Sequence, residues 1–525
     1  MRWSSRARCE WDSTLAFLET VTSPGSPPPL VTRAMAHPDR VAIVDGAGNH
    51  PYQELLHASA RAASVLLTGR ADLGEARVAF FIPPSFEHIA IQWGIWRAGG
   101  IAVPLALSHP PAELAHVIQD AAAEVVVADA ASADRLSPLA TAAGARFVMT
   151  TDALKEGRGP GELPVVETTR PAMIVYTSGT TGKSKGVVTT HANIQAQITA
   201  LIEAWQWTPE DRVLLVLPLH HVHGIINVVG CALWAGASCE MLPRFDAREA
   251  WSRIGPGQLT VFMAVPTIYR KLITAWEAAG PAEQERMSAS CRRLRLMVSG
   301  SAALPVPLLE EWKRISGHTL LERYGMTELG MALSNPLRGE RRPGFVGIPL
   351  PGLEVRLVDE QGDPVPAGVP GQIEVQGPNV FREYWRRPEE TRAAFRDGWF
   401  RTGDNAVVED GYYRILGRSS VDIIKTGGFK VSALEIEEEL RTHPAIADCA
   451  VLGIEDSDWG ERIGVAVELK PGMGLELEEL QDWARERLAP YKIPRVLRCV
   501  GRLPRNAMGK IVKPDLAKLF QSDQP

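Results

Sequence analysis

The sequence predicts an α/β protein. Its large amino-terminal domain holds wound α/β sheets and a small β-rich subdomain, and a small α+β domain follows at the carboxyl end. Three observations carry this. Apolar runs such as "VAFFIP", "EVVVAD", "AMIVYTS", "VLLVLP", "LTVFMAVP" and "LRLMVSG" alternate with helix-like stretches, the pattern of buried parallel strands joined by helices. From about Gly344 the chain turns to short strands with tight turns. After Gly417 it becomes a compact unit of mixed helix and strand.

Taken in order, residues 1–29 form an amino-terminal extension and linker, closing with "SPGSPPPL", whose prolines make it stiff. Residues 30–417 form the large domain, with helices predicted at Pro111–Ala123 and Ala247–Ile254. The segments "LEVRLVD", "GQIEVQGP" and "YYRILG" supply the strands of the β-rich subdomain. Residues 418–525 hold a helix at "SALEIEEELRTH", strands at "DCAVLGIED" and "RIGVAVELK", and an amphipathic helix at "LEELQDWARERL". The boundary falls near Gly417–Asp422.

Composition narrows the function. The chain has 525 residues, 45% hydrophobic and 22% charged, the balance of a globular protein with ample core. A net charge of -6, with both signs spread along the chain, speaks against a nucleic-acid partner or a polybasic membrane anchor. No window reaches the roughly 18 uninterrupted apolar residues of a membrane span. Six scattered cysteines without CxxC spacing read as reduced thiols. The opening "MRWSSRARCEWDS" has the arginines and serines of a mitochondrial transit peptide, but Glu10 and Asp12 oppose that reading. The expectation is a cytoplasmic protein, with mitochondrial as the alternative.

The chemistry starts at "VYTSGTTGKSKGVV". It departs from the P-loop because Thr177 stands five positions before Gly182, where that motif needs glycine. Its parts still suit a phosphate cradle. Gly179 and Gly182 let the backbone approach an anion, Ser178, Thr180, Thr181 and Ser184 offer hydroxyls, and Lys183 and Lys185 add charge. A polar loop after a strand is the plain alternative. Five further segments stand out along the chain: "LERYGMTELG" with Tyr324, Gly325, Thr327 and Glu328, "DGWFRTGD" ending in Asp404, "GYYRILGR" ending in Arg418, "IIKTGGFKVSALEIE" with Gly427 and Gly428, and "LPRNAMGKI" with Lys510. Each alone reads equally as a turn carboxylate, a cap, a surface ion pair or an ordinary lysine.

Together and in this order, these motifs resemble the adenylate-forming superfamily of acyl-CoA synthetases, peptide-synthetase adenylation domains and firefly luciferase, over nearly the whole chain from about Leu30. The resemblance implies ATP and CoA as co-substrates, Mg²⁺ as cofactor and a carboxylic acid as substrate. It implies that residues 177–187 cradle the β- and γ-phosphates and that Glu328, with Thr181, binds Mg²⁺. Thr327 would touch the α-phosphate, and Asp404 and Arg418 the ribose. Gly300, Ser301, Ala302 and Ala303 would line the adenine, with Tyr324 beside it. Lys510 would be the catalytic lysine, on a carboxyl-terminal domain that rotates to bring Gly427 and Gly428 forward for the thioester step. Near the hinge, "GRSSVDIIKTGG" is one residue longer than the common spacing, which leaves the pivot unassigned.

For the acid, "LPLHHVHGI" and "RLMVSGSAAL" carry the information. His221 matches a histidine widespread in the superfamily. His220, His221 and His223 lack the accompanying cysteine or carboxylate cluster of a metal site. His223, Arg295, Ser299 and Met326 are the candidate substrate residues, with Arg295 and His223 satisfying a second carboxylate once it is buried. A strand-start ion pair is the structural alternative for Arg295. The local text resembles malonyl-CoA synthetases, including the type that also takes methylmalonate. Rival expectations are a short or medium-chain monocarboxylate synthetase, an enzyme loading a carrier protein, and a nucleotide-binding homologue without catalysis.

Overall fold

The computed structural model describes residues 27–156, 162–177, 184–418, 421–426, 429–456, 459–506 and 509–521. Four sheets organise these residues. The first has seven strands, in the order Glu383–Tyr384, Lys185–Thr190, Pro171–Thr177, Ile101–Pro104, Arg77–Phe81, Val125–Ala128 and Arg146–Met149. The second has nine, in which Val41–Asp45, Ser238–Met241, Arg212–Leu215, Val261–Ala264, Leu296–Ser299 and Leu321–Met326 run parallel to one another. Both sheets are the wound α/β layers the alternating apolar runs predict.

Burial explains the pairing of the layers. One continuous core takes side chains from both sheets, such as Val78, Phe80, Val213 and Phe262, together with Leu55, Trp93 and Trp96 from helices. Helix Phe86–Arg97 is buried on nearly every side. A helix that is apolar all round belongs between two layers rather than on a surface. A second cluster on the outer face of the seven-stranded sheet packs Phe81, Val126 and Ile174 against Leu114, Ile118 and Leu136.

The third sheet is antiparallel, built from Glu354–Val358, Gly371–Gln376, Phe395–Arg396, Trp399–Glu409 and Tyr412–Arg418. It ends at Arg418, and the fourth sheet begins at Ile423. That fourth sheet pairs Ile423–Thr426, Phe429–Ser432, Gly460–Leu469, Ile446–Asp456 and Val496–Cys499. Ser432 caps helix Ala433–Leu440 by accepting from the Glu435 amide at 3.2 Å. Among the described residues no helix is long and apolar enough to cross a membrane. Cys231, Cys239, Cys291 and Cys449 are buried free thiols, whereas Cys499 is exposed.

Candidate active site

The functional residues gather where the parallel strands of the nine-stranded sheet end, the side of a wound sheet on which ligands bind. A cavity of about 1540 Å³ opens there, large enough for more than one small molecule. Its walls include Ser301, Ala302, Ala303, Tyr324, Gly325, Met326, Asp404 and Arg418 from the large domain. Asn506, Gly509 and Lys510 reach it from the carboxyl-terminal unit.

Tyr324, Asp404 and Arg418 form one hydrogen-bonded group. Asp404 and Arg418 are register partners on adjacent antiparallel strands. The Arg418 Nε donates to Asp404 Oδ1 at 3.0 Å, and the Tyr324 hydroxyl donates to Oδ2 at 2.6 Å. Burial and the neighbouring Asp404 charge push the Tyr324 hydroxyl well above its usual range, so it is a permanent donor. Thr327 and Glu328 lie in the turn between strands Leu321–Met326 and Gly330–Ser334, so Tyr324 stands within the strand and not on the turn that follows.

Glu328 is the residue most fitted to a hard cation. It is 7% exposed, and burial raises its carboxyl above the usual range against the pull of Tyr384 and Arg418. The Tyr384 hydroxyl donates to its Oε1 at 2.9 Å. A buried carboxylate held by a neutral donor keeps its charge available for Mg²⁺, which takes one or two carboxylates and completes its shell with phosphate and water oxygens.

The phosphate loop is anchored at both ends by the pairing of Thr177 with Lys185 in a β-ladder. Ser178, Gly179, Thr180, Thr181, Gly182 and Lys183 lie outside the described residues, as do Gly427 and Gly428. Lys185 departs from expectation. It forms an ion pair with Glu390 and lies 5.3 Å above the Tyr384 ring, so its charge is committed to the flank of the loop.

Lys510 is exposed to the cavity beside Asn506, with which it is hydrogen-bonded. Its amide donates to Asn506 Oδ1 at 3.0 Å, and its carbonyl accepts from the Asn506 amide at 2.9 Å. Gly509 adopts φ +74°, and a Cβ there would meet Thr267 Oγ1 at 2.4 Å. The glycine therefore serves twice, in the turn and in the close seating of the loop on the large domain.

Arg295 requires a correction. It does not reach the cavity. It precedes strand Leu296–Ser299, at the opposite end from the site, and grips Asp211 with Nε at 2.7 Å and Nη2 at 2.6 Å. Its Nη1 donates to the Trp205 carbonyl at 2.8 Å. Burial would raise Asp211, but the bonds from Arg295, Thr260 and the Thr208 amide outweigh it and hold the carboxyl low. Arg295 is an ion pair at a strand start.

A buried arginine that does line the cavity is Arg323, which sequence reasoning passed over although it stands inside "LERYGMTELG". It is 4% exposed. Burial drives it down to about 9, with adjacent Glu322 opposing the drop. Its guanidinium lies across the Gly300 backbone, where a Cβ would come within 2.5 Å of Nε. Around it, His223 Nδ1 lies 3.2 Å and Arg323 Nη2 lies 3.4 Å from Ser301 Oγ. Ser301 holds φ 69°, a costly conformation for a non-glycine residue, which marks a functional turn. Among the described residues, Arg323 Nε, His223 Nε2 and Ser299 Oγ are buried without a hydrogen-bond partner. Such atoms are costly unless a ligand completes them. Burial, then the Arg323 charge, push His223 well below its usual value, so its imidazole is neutral. His221 packs against His220 with centroids 4.4 Å apart and the rings tilted by 44°, and burial lowers it to about 4. His220, and not His221, lines the cavity.

The chain matches two family models: AMP-binding enzyme over residues 30–385, and AMP-binding enzyme C-terminal domain over residues 435–510. It is 48% identical to the mitochondrial malonate–CoA ligase of Homo sapiens, covering 94% of this chain and 92% of that protein. A malonate–CoA ligase of Arabidopsis thaliana is 41% identical, covering 93% and 87%. Among solved structures, ATP-bound MatB from Rhodopseudomonas palustris superposes with TM-score 0.88 at 36% identity, over 94% of this chain and 99% of that one. An o-succinylbenzoate coenzyme A synthetase from Bacillus subtilis, in complex with ATP and magnesium ion, superposes with TM-score 0.82 at 27% identity, over 94% and 99%.

Proposed function

The chain belongs to the AMP-binding enzyme family, and we propose that it is an ATP-dependent acid–CoA ligase acting on malonate or methylmalonate. The single observation that carries the substrate class is the buried Arg323, which has no carboxylate hydrogen-bonded to it among the described residues and whose Nε, like Nε2 of neighbouring His223, has no partner there. A monocarboxylic acid would bury an apolar end against this cation at high cost. A dicarboxylic acid brings the missing anion. Malonate–CoA ligases among the relatives support the same reading.

The reaction has two steps. One malonate carboxylate oxygen attacks the α-phosphorus of ATP, and the bond to pyrophosphate breaks. The CoA thiolate then attacks the acyl carbon, forming the thioester and releasing AMP. Each residue group has a task. Arg323 and His223 hold the distal carboxylate and so orient the reacting one. Asp404, with Arg418 and Tyr324 bonded to it, accepts from ribose hydroxyls. Lys510 places its ammonium where the carboxylate and α-phosphate meet, stabilising the charge that gathers in the transition state. Glu328 would hold Mg²⁺, which neutralises phosphate charge when bound. Thr327 and the loop that starts at Thr177 are assigned to the phosphates.

For the second step the acceptor is CoA. Phe429, 51% exposed, stacks on Tyr491 at 4.2 Å, and Arg495 covers the exposed Trp459 at 3.9 Å. Exposed aromatic faces with arginine and lysine nearby suit the nucleotide end of CoA. The murine and human relatives are named as mitochondrial, which favours the mitochondrial alternative over the cytoplasmic expectation.

A panel of malonate, methylmalonate, propionate and butyrate, each with ATP and CoA, tests the proposal when pyrophosphate and AMP are followed separately. Malonate or methylmalonate should lead in kcat/KM by a hundredfold or more. Equal turnover of propionate would overturn the dicarboxylate reading.

A further inference from the structure

The segment from Phe381 to Glu390 touches two parts of the site that lie far apart in sequence. At one end it follows the turn that carries Glu328. The Phe381 amide donates to the Glu328 carbonyl at 2.7 Å, and the Tyr384 hydroxyl donates to the Glu328 carboxylate at 2.9 Å. At its other end it follows the strand by which the phosphate loop leaves. Glu383 and Tyr384 pair with Val188 and Val187, and the Trp385 amide donates to the Gly186 carbonyl at 2.8 Å. The Tyr384 ring lies beneath Lys185, which is itself paired with Glu390. Tyr384 is thus the one described residue whose backbone is registered to the phosphate-loop strand while its side chain grips Glu328.

We propose that Tyr384 is a positioning residue that fixes the Glu328 carboxylate relative to strand Lys185–Thr190, so that it meets a bound cation in one set direction. The inference rests on the reading in which Glu328 holds Mg²⁺. The physical case is one of rotamers. Glu328 has three side-chain torsions, and Mg²⁺ demands near-octahedral geometry at short range. A carboxylate held at one oxygen leaves the other aimed in a fixed direction. Partners of this kind orient metal-binding groups, and their removal typically weakens metal affinity about 10–100-fold. Packing alone does not explain the hydroxyl. The ring is held by Phe381, with centroids 4.8 Å apart, and phenylalanine would fill the same space.

The test uses the full chain with Mn²⁺ and a non-hydrolysable ATP analogue, reading free Mn²⁺ by electron paramagnetic resonance. Tyr384→Phe should raise the Mn²⁺ dissociation constant about tenfold or more. Acid-dependent pyrophosphate exchange should fall at low Mg²⁺ and recover as Mg²⁺ is raised. Thioester formation from pre-made acyl-adenylate, which needs no pyrophosphate to be held, should be unchanged. Phe381→Leu, which loosens the same packing without touching the hydroxyl, should lower Tm while leaving Mn²⁺ affinity intact. Unchanged Mn²⁺ affinity in Tyr384→Phe, or equal loss in both half-reactions, overturns the proposal. Glu328→Gln separates it from its premise. If that variant also binds Mn²⁺ normally, the metal reading of Glu328 falls and the proposal with it. If only Tyr384→Phe binds normally, the positioning role alone is wrong.

Discussion

Arg295 and Arg323 stand on neighbouring parallel strands of one sheet and meet opposite fates. The register pairs Ser299 with Glu322, which sets Arg323 level with Gly300, five residues of strand beyond Arg295 and roughly 16 Å away. Arg295 is saturated by both oxygens of Asp211 and by the Trp205 carbonyl. Arg323 makes one long contact, to Ser301, and keeps a buried Nε without a partner among the described residues. The first cation completes the fold. The second waits for an anion. What distinguishes a binding arginine from a structural one is the charge balance left by its surroundings, together with the end of the strand on which it sits.

This comparison can be broken in four ways, taken from the largest effect down. Arg323→Met should lower kcat/KM for malonate by a few hundred-fold or more, the consequence of removing one partner of a buried charge pair worth about 3–5 kcal/mol. Propionate should be spared or improved. Lys510→Ala should slow adenylation about 10²–10³-fold and leave thioester formation from acyl-adenylate nearly intact. An equal fall in both half-reactions would contradict the role given to its loop. Arg295→Met should act on stability alone. It strands Asp211, whose side chain is 2% exposed, and should cost about 3 kcal/mol with no change in the malonate-to-propionate ratio.

The Arg295 variant also has a signature in pH. The Asp211 carboxyl is held below its unfolded value, so its contribution to stability is present above that value and is lost as pH falls through the folded one. Thermal melts should show the wild type losing stability on acidification through this range, and the Arg295→Met variant losing less. His223→Ala should give the smallest effect, about fivefold on malonate, because a neutral imidazole gives a hydrogen bond worth about 1 kcal/mol. A larger loss than in Arg323→Met would move the anion site from the guanidinium to the imidazole.

Much of the fold was legible because buried parallel strands write themselves as apolar runs. "LRLMVSG" and "LTVFMAVP" are adjacent strands of the nine-stranded sheet. The change near Gly344 marks the antiparallel third sheet. The Tyr324, Asp404 and Arg418 group was legible only through family motifs, since nothing local in "DGWFRTGD" announces its pairing with "GYYRILGR". Arg295 misled because an arginine leading into a glycine-rich turn looks aimed at that turn. Its partner Asp211 is 84 residues away, and no local pattern shows it. Arg323 was hidden for the same reason: its burial depends on Gly300 and His223, which only the folded sheet brings alongside.

The central claim, that Arg323 receives the distal carboxylate, is tested most directly by pyrophosphate exchange with malonate and with its monomethyl ester, which keeps the shape and removes the second charge. The ratio of kcat/KM for the two acids should exceed about a hundred in the wild type and in Arg295→Met, and fall to near one in Arg323→Met. A ratio that survives in Arg323→Met, or collapses in Arg295→Met, would contradict the account.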